Sequence, residues 1–233
     1  MKVSAVSENA CLIQVGDEIS ESLTTVIANL SSSIESKLSD VLIDLVPSYT
    51  TLLCVYDPHK MDYLRVLHAL RQIVSELSVD DGSSYLDDSS QGKLIEVPVW
   101  YDPEVGYDLE RMAAAKQISI EAILETHTAK DYKVFAMGFM PGFAFMGRVE
   151  PLLATPRQQT PRKAVAAGSV GIADIQTAVY PAQSPGGWNI IGRSPSRFFD
   201  VQKGDKAALL SVGDRVRFVA IDRATFIELG GKI

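Results

Sequence analysis

The sequence predicts an α+β fold in two domains, residues 1–92 and 93–233, and three observations carry that expectation. Two amphipathic helical stretches alternate with short branched runs in the first part of the chain. The segment "SVDDGSSYLDDSSQG" then offers almost nothing to bury and reads as a linker. Beyond Lys130 the helical period vanishes, leaving short β-like runs separated by Gly and Pro, the pattern of a barrel or sandwich.

Taken in order, residues 10–15 read as a strand. "SESLTTVIANLSSSIESKL" follows, with Leu23, Ile27, Leu30, Ile34 and Leu38 on one helical face and Ser20 available as N-cap. "VLIDLV" and "TLLCVY" flank Pro47-Ser48 and suit a hairpin. A second helix places Tyr63, Leu67, Leu70, Val74 and Leu77 on one face, and "LIEVPVW" is a strand. This β-α-β-β-α-β order is that of a ferredoxin-like split βαβ unit. Asp108 can cap a short helix to about Gln117, and Ser119 can cap another that carries Ile120, Ile123, Leu124 and His127 on one face. The strands expected after that are "YKVFAM", "SVGIAD", "TAVYP", "WNIIG" and "RVRFVAI".

Composition narrows the function classes. At 233 residues, 46% hydrophobic and 22% charged, the chain builds an ordinary soluble core. A net charge of −7 argues against a nucleic-acid partner, which needs a basic face. No apolar run reaches the length of a signal peptide or a membrane span, so a cytoplasmic location is expected, with no membrane partner. Cys11 and Cys54 sit in apolar strand-like runs, where a free thiol acts as a small buried hydrophobe. The three histidines and two cysteines form no metal-ligand spacing, so no metal is expected. There is neither a phosphate loop nor a G-x-G-x-x-G, and "AGSVG" is followed by β-branched residues with no later histidine, unlike a nucleophile elbow.

What remains is a concentration of unusual residues between His127 and Arg197. "GFMPGFAFMG" holds Phe139, Pro141, Gly142 and Phe143 with no polar side chain; it is either an inward-folded corner or the wall of a pocket. Arg157, Arg162, Lys163, Arg193 and Arg197 lie on or beside Pro- and Gly-rich turns, where a guanidinium fork is held toward carboxylate or phosphate oxygens unless an acidic neighbour takes it. "SPGGW" presents Trp188 after Gly187, as a core indole or as a ligand contact. His127 is either a hydrogen-bonded histidine stabilising its helix end or a general acid-base.

"GFMPGFAFMG", "TPRQQTPRK", "AGSVGI", "QTAVYP" and "SPGGW" together resemble one family, known as allophanate hydrolase subunit 1, as the B-type subunit of 5-oxoprolinase or as the Kip-type kinase inhibitor, over about Ile95 to Ile221. The resemblance implies a cyclophilin-like β-barrel after the smaller α/β domain. It implies a subunit of an ATP-dependent 5-oxoprolinase that opens 5-oxo-L-proline to L-glutamate and is inactive alone. Its partners would be a second allophanate-hydrolase-like subunit and a lactam-utilisation subunit, with ATP bound with or by one of them. A Kip-type inhibitor of a sensor histidine kinase and the carboxyltransferase half of a urea carboxylase-like enzyme are the alternatives. The site implied is His127, Arg157 and Arg162 for catalysis, with Phe139, Pro141, Gly142, Phe143, Gln176, Tyr180, Gly187, Trp188 and Arg193 around a small amide substrate. The chain departs from the family pattern at Thr128, Phe145, Ala166, Ala173, Asp174 and Ala178. Where a glycine is replaced, the turn's backbone choices narrow, which bears on substrate detail near Asp174.

Overall fold

The computed structural model describes residues 1–79 and 92–233, so all but the ends of the expected linker lies outside the described residues. By contacts the chain divides into two compact units, Met1–Gly92 and Lys93–Ile233.

The first unit is a four-stranded antiparallel sheet with two helices. β1 (Lys2–Ser7), β2 (Ala10–Gln14), α1 (Glu21–Leu38), β3 (Leu42–Ser48), β4 (Thr51–Tyr56) and α2 (Tyr63–Val79) follow one another, and the sheet order is β1-β2-β4-β3. Ser20 caps α1, accepting the Leu23 N–H, and Ile27, Leu30, Ile34 and Leu38 pack under it with Val66, Leu70 and Ile73 of α2. Cys11 and Cys54 face each other across β2 and β4, buried and free, and burial raises both thiols, Cys54 to about 12. Such thiols are inert hydrophobes at neutral pH.

The ferredoxin-like order is corrected in one place. The strand expected to complete this sheet, residues 94–100, belongs to the second unit, and the edge beside β2 is taken by β1. β1 escapes a hydrophobic reading because it is an edge: of "KVSAVS" only Val3 is buried.

The second unit opens with β5 (Leu94–Trp100), α3 (Leu109–Lys116) and α4 (Ile120–Thr128). β6 (Asp131–Met137), β7 (Ala144–Gly147), β8 (Arg162–Val165), β9 (Ser169–Ala173), β10 (Gln176–Val179), β11 (Ser184–Gly186), β12 (Asn189–Arg193), β13 (Arg215–Ile221) and α5 (Arg223–Glu228) complete it. Seven strands close a barrel in the order β10-β7-β6-β13-β5-β12-β9, and β8 with β11 forms a separate ribbon. All five residues of β9 and of β12 are buried, so both faces of these strands are covered. β13 runs parallel to β5 along seven paired residues, while β5 meets β12 through the single pair Arg193 and Trp100. Pro98, two residues from that pair, has no N–H with which to lengthen the ladder.

"GFMPGFAFMG" forms a tight corner and then β7. The Gly138 N–H donates to Phe143 O at 3.1 Å and the Phe143 N–H to Met140 O at 3.0 Å. Gly142 turns the chain with φ 82°, and a Cβ there would sit 2.8 Å from Phe198 O.

Candidate functional site

The corner also makes a wall. Phe143 is buried, with its ring edge-to-face against Phe139 (5.2 Å between centroids), Phe145 (4.9 Å), Tyr180 (5.4 Å) and Trp188 (5.7 Å). These five rings line a cleft of about 300 Å³ together with Arg157, Gln158, Pro161 and the turn Pro185, Gly186 and Gly187. Phe139 is 62% exposed at its rim and adopts φ 68°. Positive φ is costly for an aromatic residue, and strain of this kind gathers at ligand sites. Gly186 lets the opposite wall approach: a Cβ there would lie 2.2 Å from the Tyr180 hydroxyl oxygen. Burial pushes the Tyr180 phenol up, against a Trp188 N–H bond and the nearby Arg157 and Arg162, so it stays protonated at neutral pH.

One cation faces the aromatic wall. The Arg157 guanidinium lies 5.8 Å from the Trp188 ring centroid, and its Nε is 3.9 Å from Asp174 Oδ2, both side chains more than half exposed. Asp174 holds φ 53°, the left-handed conformation that glycine supplies without strain and that Asp tolerates better than most residues. The departure from glycine at this position therefore keeps the turn and adds a carboxylate beside Arg157.

Behind the cleft stands a residue that the sequence showed only as a helix cap. Asp108 makes no side-chain cap bond to α3. Its Oδ1 instead accepts from Gln158 Nε2 at 2.7 Å, Arg162 Nη2 at 2.8 Å and Arg111 Nη2 at 3.0 Å, and its Oδ2 accepts the Ile190 N–H at 2.7 Å. Burial alone would raise this carboxyl, but the Arg162, Ile190 and Arg111 donors outweigh it and hold it below its ordinary value. Arg111 Nη2 also donates to Asn189 Oδ1, and Asn189 Nδ2 reaches Pro156 O and Ile172 O at 2.9 Å each. The loop carrying Arg157 and Gln158 is thereby tied to β9 and β12.

The expected residues thus separate. Phe139, Phe143, Arg157, Tyr180, Gly187 and Trp188 share the cleft. Pro141 and Gly142 shape the corner without lining it, and Gln176 opens β10 beside Gly147 and Ala173. Arg162 points away from the cleft into the Asp108 cluster and over the Tyr107 ring. Arg193 lies elsewhere, donating to Tyr107 Oη and Lys232 O.

His127 does not reach the cleft either. It is fully buried and stacked on Phe218, with Nδ1 2.8 Å from Tyr101 Oη and Nε2 3.0 Å from Thr177 Oγ1. Thr177 donates its own hydroxyl to Gly171 O, so it accepts from His127. That fixes the proton on Nε2 and makes Nδ1 the acceptor of the Tyr101 hydroxyl. Burial drives the imidazole down to about 3, and it is neutral at physiological pH. It is a structural histidine, as its apolar helix face allowed. Gln158, Asp108, Arg111 and Asn189 were missed, because polar residues that act through long-range contacts leave no local spacing.

Comparison with known proteins places the chain. It matches the family described as carboxyltransferase domain, subdomain C and D, over residues 1–210. It is 33% identical over 232 residues to the B-type subunit of 5-oxoprolinase from Bacillus subtilis, covering 97% of this chain and 95% of that one. The crystal structure of TTHA0988 superposes with a TM-score of 0.77 at 33% identity, covering 93% of this chain but only 40% of that longer one. The Kluyveromyces lactis urea carboxylase shares the fold at a TM-score of 0.74 and 17% identity, over 97% of this chain and 22% of its own. The chain belongs to the carboxyltransferase domain, subdomain C and D family.

Proposed function

We propose that this chain is a B-type subunit of an ATP-dependent 5-oxoprolinase, and that the aromatic cleft of residues 93–233 receives 5-oxo-L-proline. The observation that carries the reading is the 33% identity to a B-type 5-oxoprolinase subunit along nearly the whole of both chains. The cleft supports it chemically. A five-membered lactam is flat, has a small apolar edge and bears one carboxylate. Aromatic faces accept the ring, and Arg157, held over Trp188, pairs with the carboxylate. Gln158, braced by Asp108, borders the same space and is placed to orient the lactam amide.

In the reaction the lactam C–N bond breaks, a water oxygen joins the carbonyl carbon, and the nitrogen takes protons to become the glutamate amine. A resonance-stabilised lactam resists water until its carbonyl oxygen is activated, and transfer of a phosphoryl group from ATP is the activation proposed. The cleft is open at Phe139, so covering by the partner subunits would keep bulk water from that step. Arg162 and His127 serve as positioning residues in this scheme, the first through Asp108 and the second by anchoring α4. A second allophanate-hydrolase-like subunit and a lactam-utilisation subunit complete the enzyme, in the cytoplasm where ATP is available.

The test is to co-express the chain with these subunits and assay glutamate release from 5-oxoproline and ATP, omitting each in turn. Release should require every subunit. Release that survives omission of this chain would end the enzyme-subunit reading and favour a kinase inhibitor; release by this chain alone would refute a shared site.

A further inference from the structure

A second pocket of about 330 Å³ opens on the barrel unit and shares no lining residue with the aromatic cleft. It forms where the end of β12 meets the tail that follows α5. Gly230 ends α5 with φ 86°, and the Gly231 N–H donates to Phe226 O at 2.8 Å. A Cβ on Gly231 would lie 2.4 Å from the Phe226 ring, so only glycine lets the tail fold back this closely. The fold-back brings Lys232 O to 3.1 Å from Arg193 Nη1. On the other side Gly168, at φ 80°, packs against Ser194 and accepts its N–H at 2.8 Å.

Arg193 is only 5% exposed, and a guanidinium does not lose its charge in a protein. Its hydrogen-bond partners are neutral: Lys232 O and, at 2.6 Å, the Tyr107 hydroxyl, while its Nε is buried with no partner. Arg111 and Arg162 both pair with Asp108, and Arg197 pairs with Asp200, but among the described residues no carboxylate pairs with Arg193. A buried cation without a counter-charge is costly, and a bound anion offsets that cost. Arg197 and Lys232 line the same pocket with Ser194 and Ser196, and no Asp or Glu does. Three cations therefore converge in a protein whose net charge is −7.

We propose that this pocket binds a phosphoryl group. With Arg197 already paired with Asp200, a carboxylate would offset one of the two remaining charges, whereas a phosphate ester near neutral pH carries about 1.5 to 2 negative charges and three strong acceptor oxygens that suit guanidinium forks and hydroxyls. The site stands without the 5-oxoproline assignment. It is, however, where a nucleotide's phosphoryl group or released phosphate would find donors in a chain that has no phosphate loop. Tyr107 links it to the Asp108 cluster, because the Arg162 guanidinium lies 5.7 Å from the same ring whose hydroxyl binds Arg193.

The test is calorimetric titration of the full chain with inorganic phosphate, ATP and L-glutamate in turn. Saturable binding of phosphate or ATP that weakens with salt is expected. Arg197→Ala combined with Lys232→Ala, both exposed side chains, should reduce that binding at least tenfold, while Arg157→Ala in the cleft leaves it unchanged. ATP binding more tightly than phosphate would identify a nucleotide as the source; equal binding would identify the free ion. The proposal is overturned if neither phosphate nor ATP binds, if glutamate binds the Arg157→Ala chain as tightly as phosphate does, or if the double variant keeps its affinity. Melting curves with and without phosphate give a second readout, since the phosphate-induced rise in Tm should vanish in the double variant.

Discussion

Arg157 and Asp174 set a balance that a pair of substitutions exposes. If Arg157 holds the substrate carboxylate, its loss removes a charge-assisted bond worth about 1.5–3 kcal/mol. Arg157→Ala should then raise KM for 5-oxoproline about tenfold to a hundredfold in the assembled enzyme, as steady-state kinetics would show. Asp174 competes for the same guanidinium from 3.9 Å away. An exposed pair at this distance is worth up to about 1 kcal/mol, so Asp174→Asn should lower KM by up to about fivefold. An unchanged KM in both variants would remove Arg157 from the substrate contacts. Asp108 is a different case, because it is buried and has four donors. Breaking a buried pair usually costs about 3–5 kcal/mol. Here Arg111, Arg162 and the cleft-lining Gln158 all reach water, so the loss in Asp108→Ala should be smaller, on the order of 2–3 kcal/mol, arising mainly from the stranded Ile190 N–H. Urea denaturation measures it, and a loss below about 1 kcal/mol would contradict this role.

At the scale of the element, α4 is fastened to the barrel by a relay of three hydrogen bonds, from Tyr101 to His127 to Thr177 to Gly171. The relay works only with a neutral imidazole. In the folded protein His127 protonates near 3, whereas the unfolded chain takes up that proton near 6.5. Between those values the unfolded state binds more protons, so the contribution is fully present above about pH 6.5 and is lost as pH falls toward 3. The slope is about 1.4 kcal/mol per pH unit for a single group. His127→Gln should flatten that part of the stability profile relative to the parent protein, and identical profiles in the two proteins would show that His127 does not titrate in this way. Helices α1 to α4 and the longer strands other than the exposed edge β1 were legible in the sequence through an apolar period or a cap, whereas the six-residue α5 was not. β7, β8 and β11 were not, since three or four residues among Gly and Pro carry no period, and their pairing is dictated by the aromatic wall and the ribbon they build. The same holds for the site. Its aromatic and Arg157 half was visible as unusual composition, while the Asp108 half exists only once α3, β8 and β12 have come together.

For the molecule as a whole, the family match ends at residue 210, yet β13 at residues 215–221 lies between β5 and β6 in the barrel. A chain stopped at residue 210 should therefore fail to close the barrel and should lose the chemical-shift dispersion of residues 93–210, which a proton–nitrogen NMR spectrum would show directly. Retained dispersion would mean that β5 and β6 can pair without it. The parallel contact of β5 with β13 also sets the order of events during synthesis. Leu94 pairs with Arg215, some 120 residues later in the chain, and contacts over such separations form slowly. The first unit can mature as soon as it leaves the ribosome, but β5 must wait, with one edge unpaired, until residues 215–221 have been made. An open strand edge is a template for aggregation. The hazardous interval in the life of this protein thus falls between the synthesis of Leu94 and that of Ile221, so yield in a foreign host should depend more on elongation rate and chaperone supply than on the stability of the finished barrel.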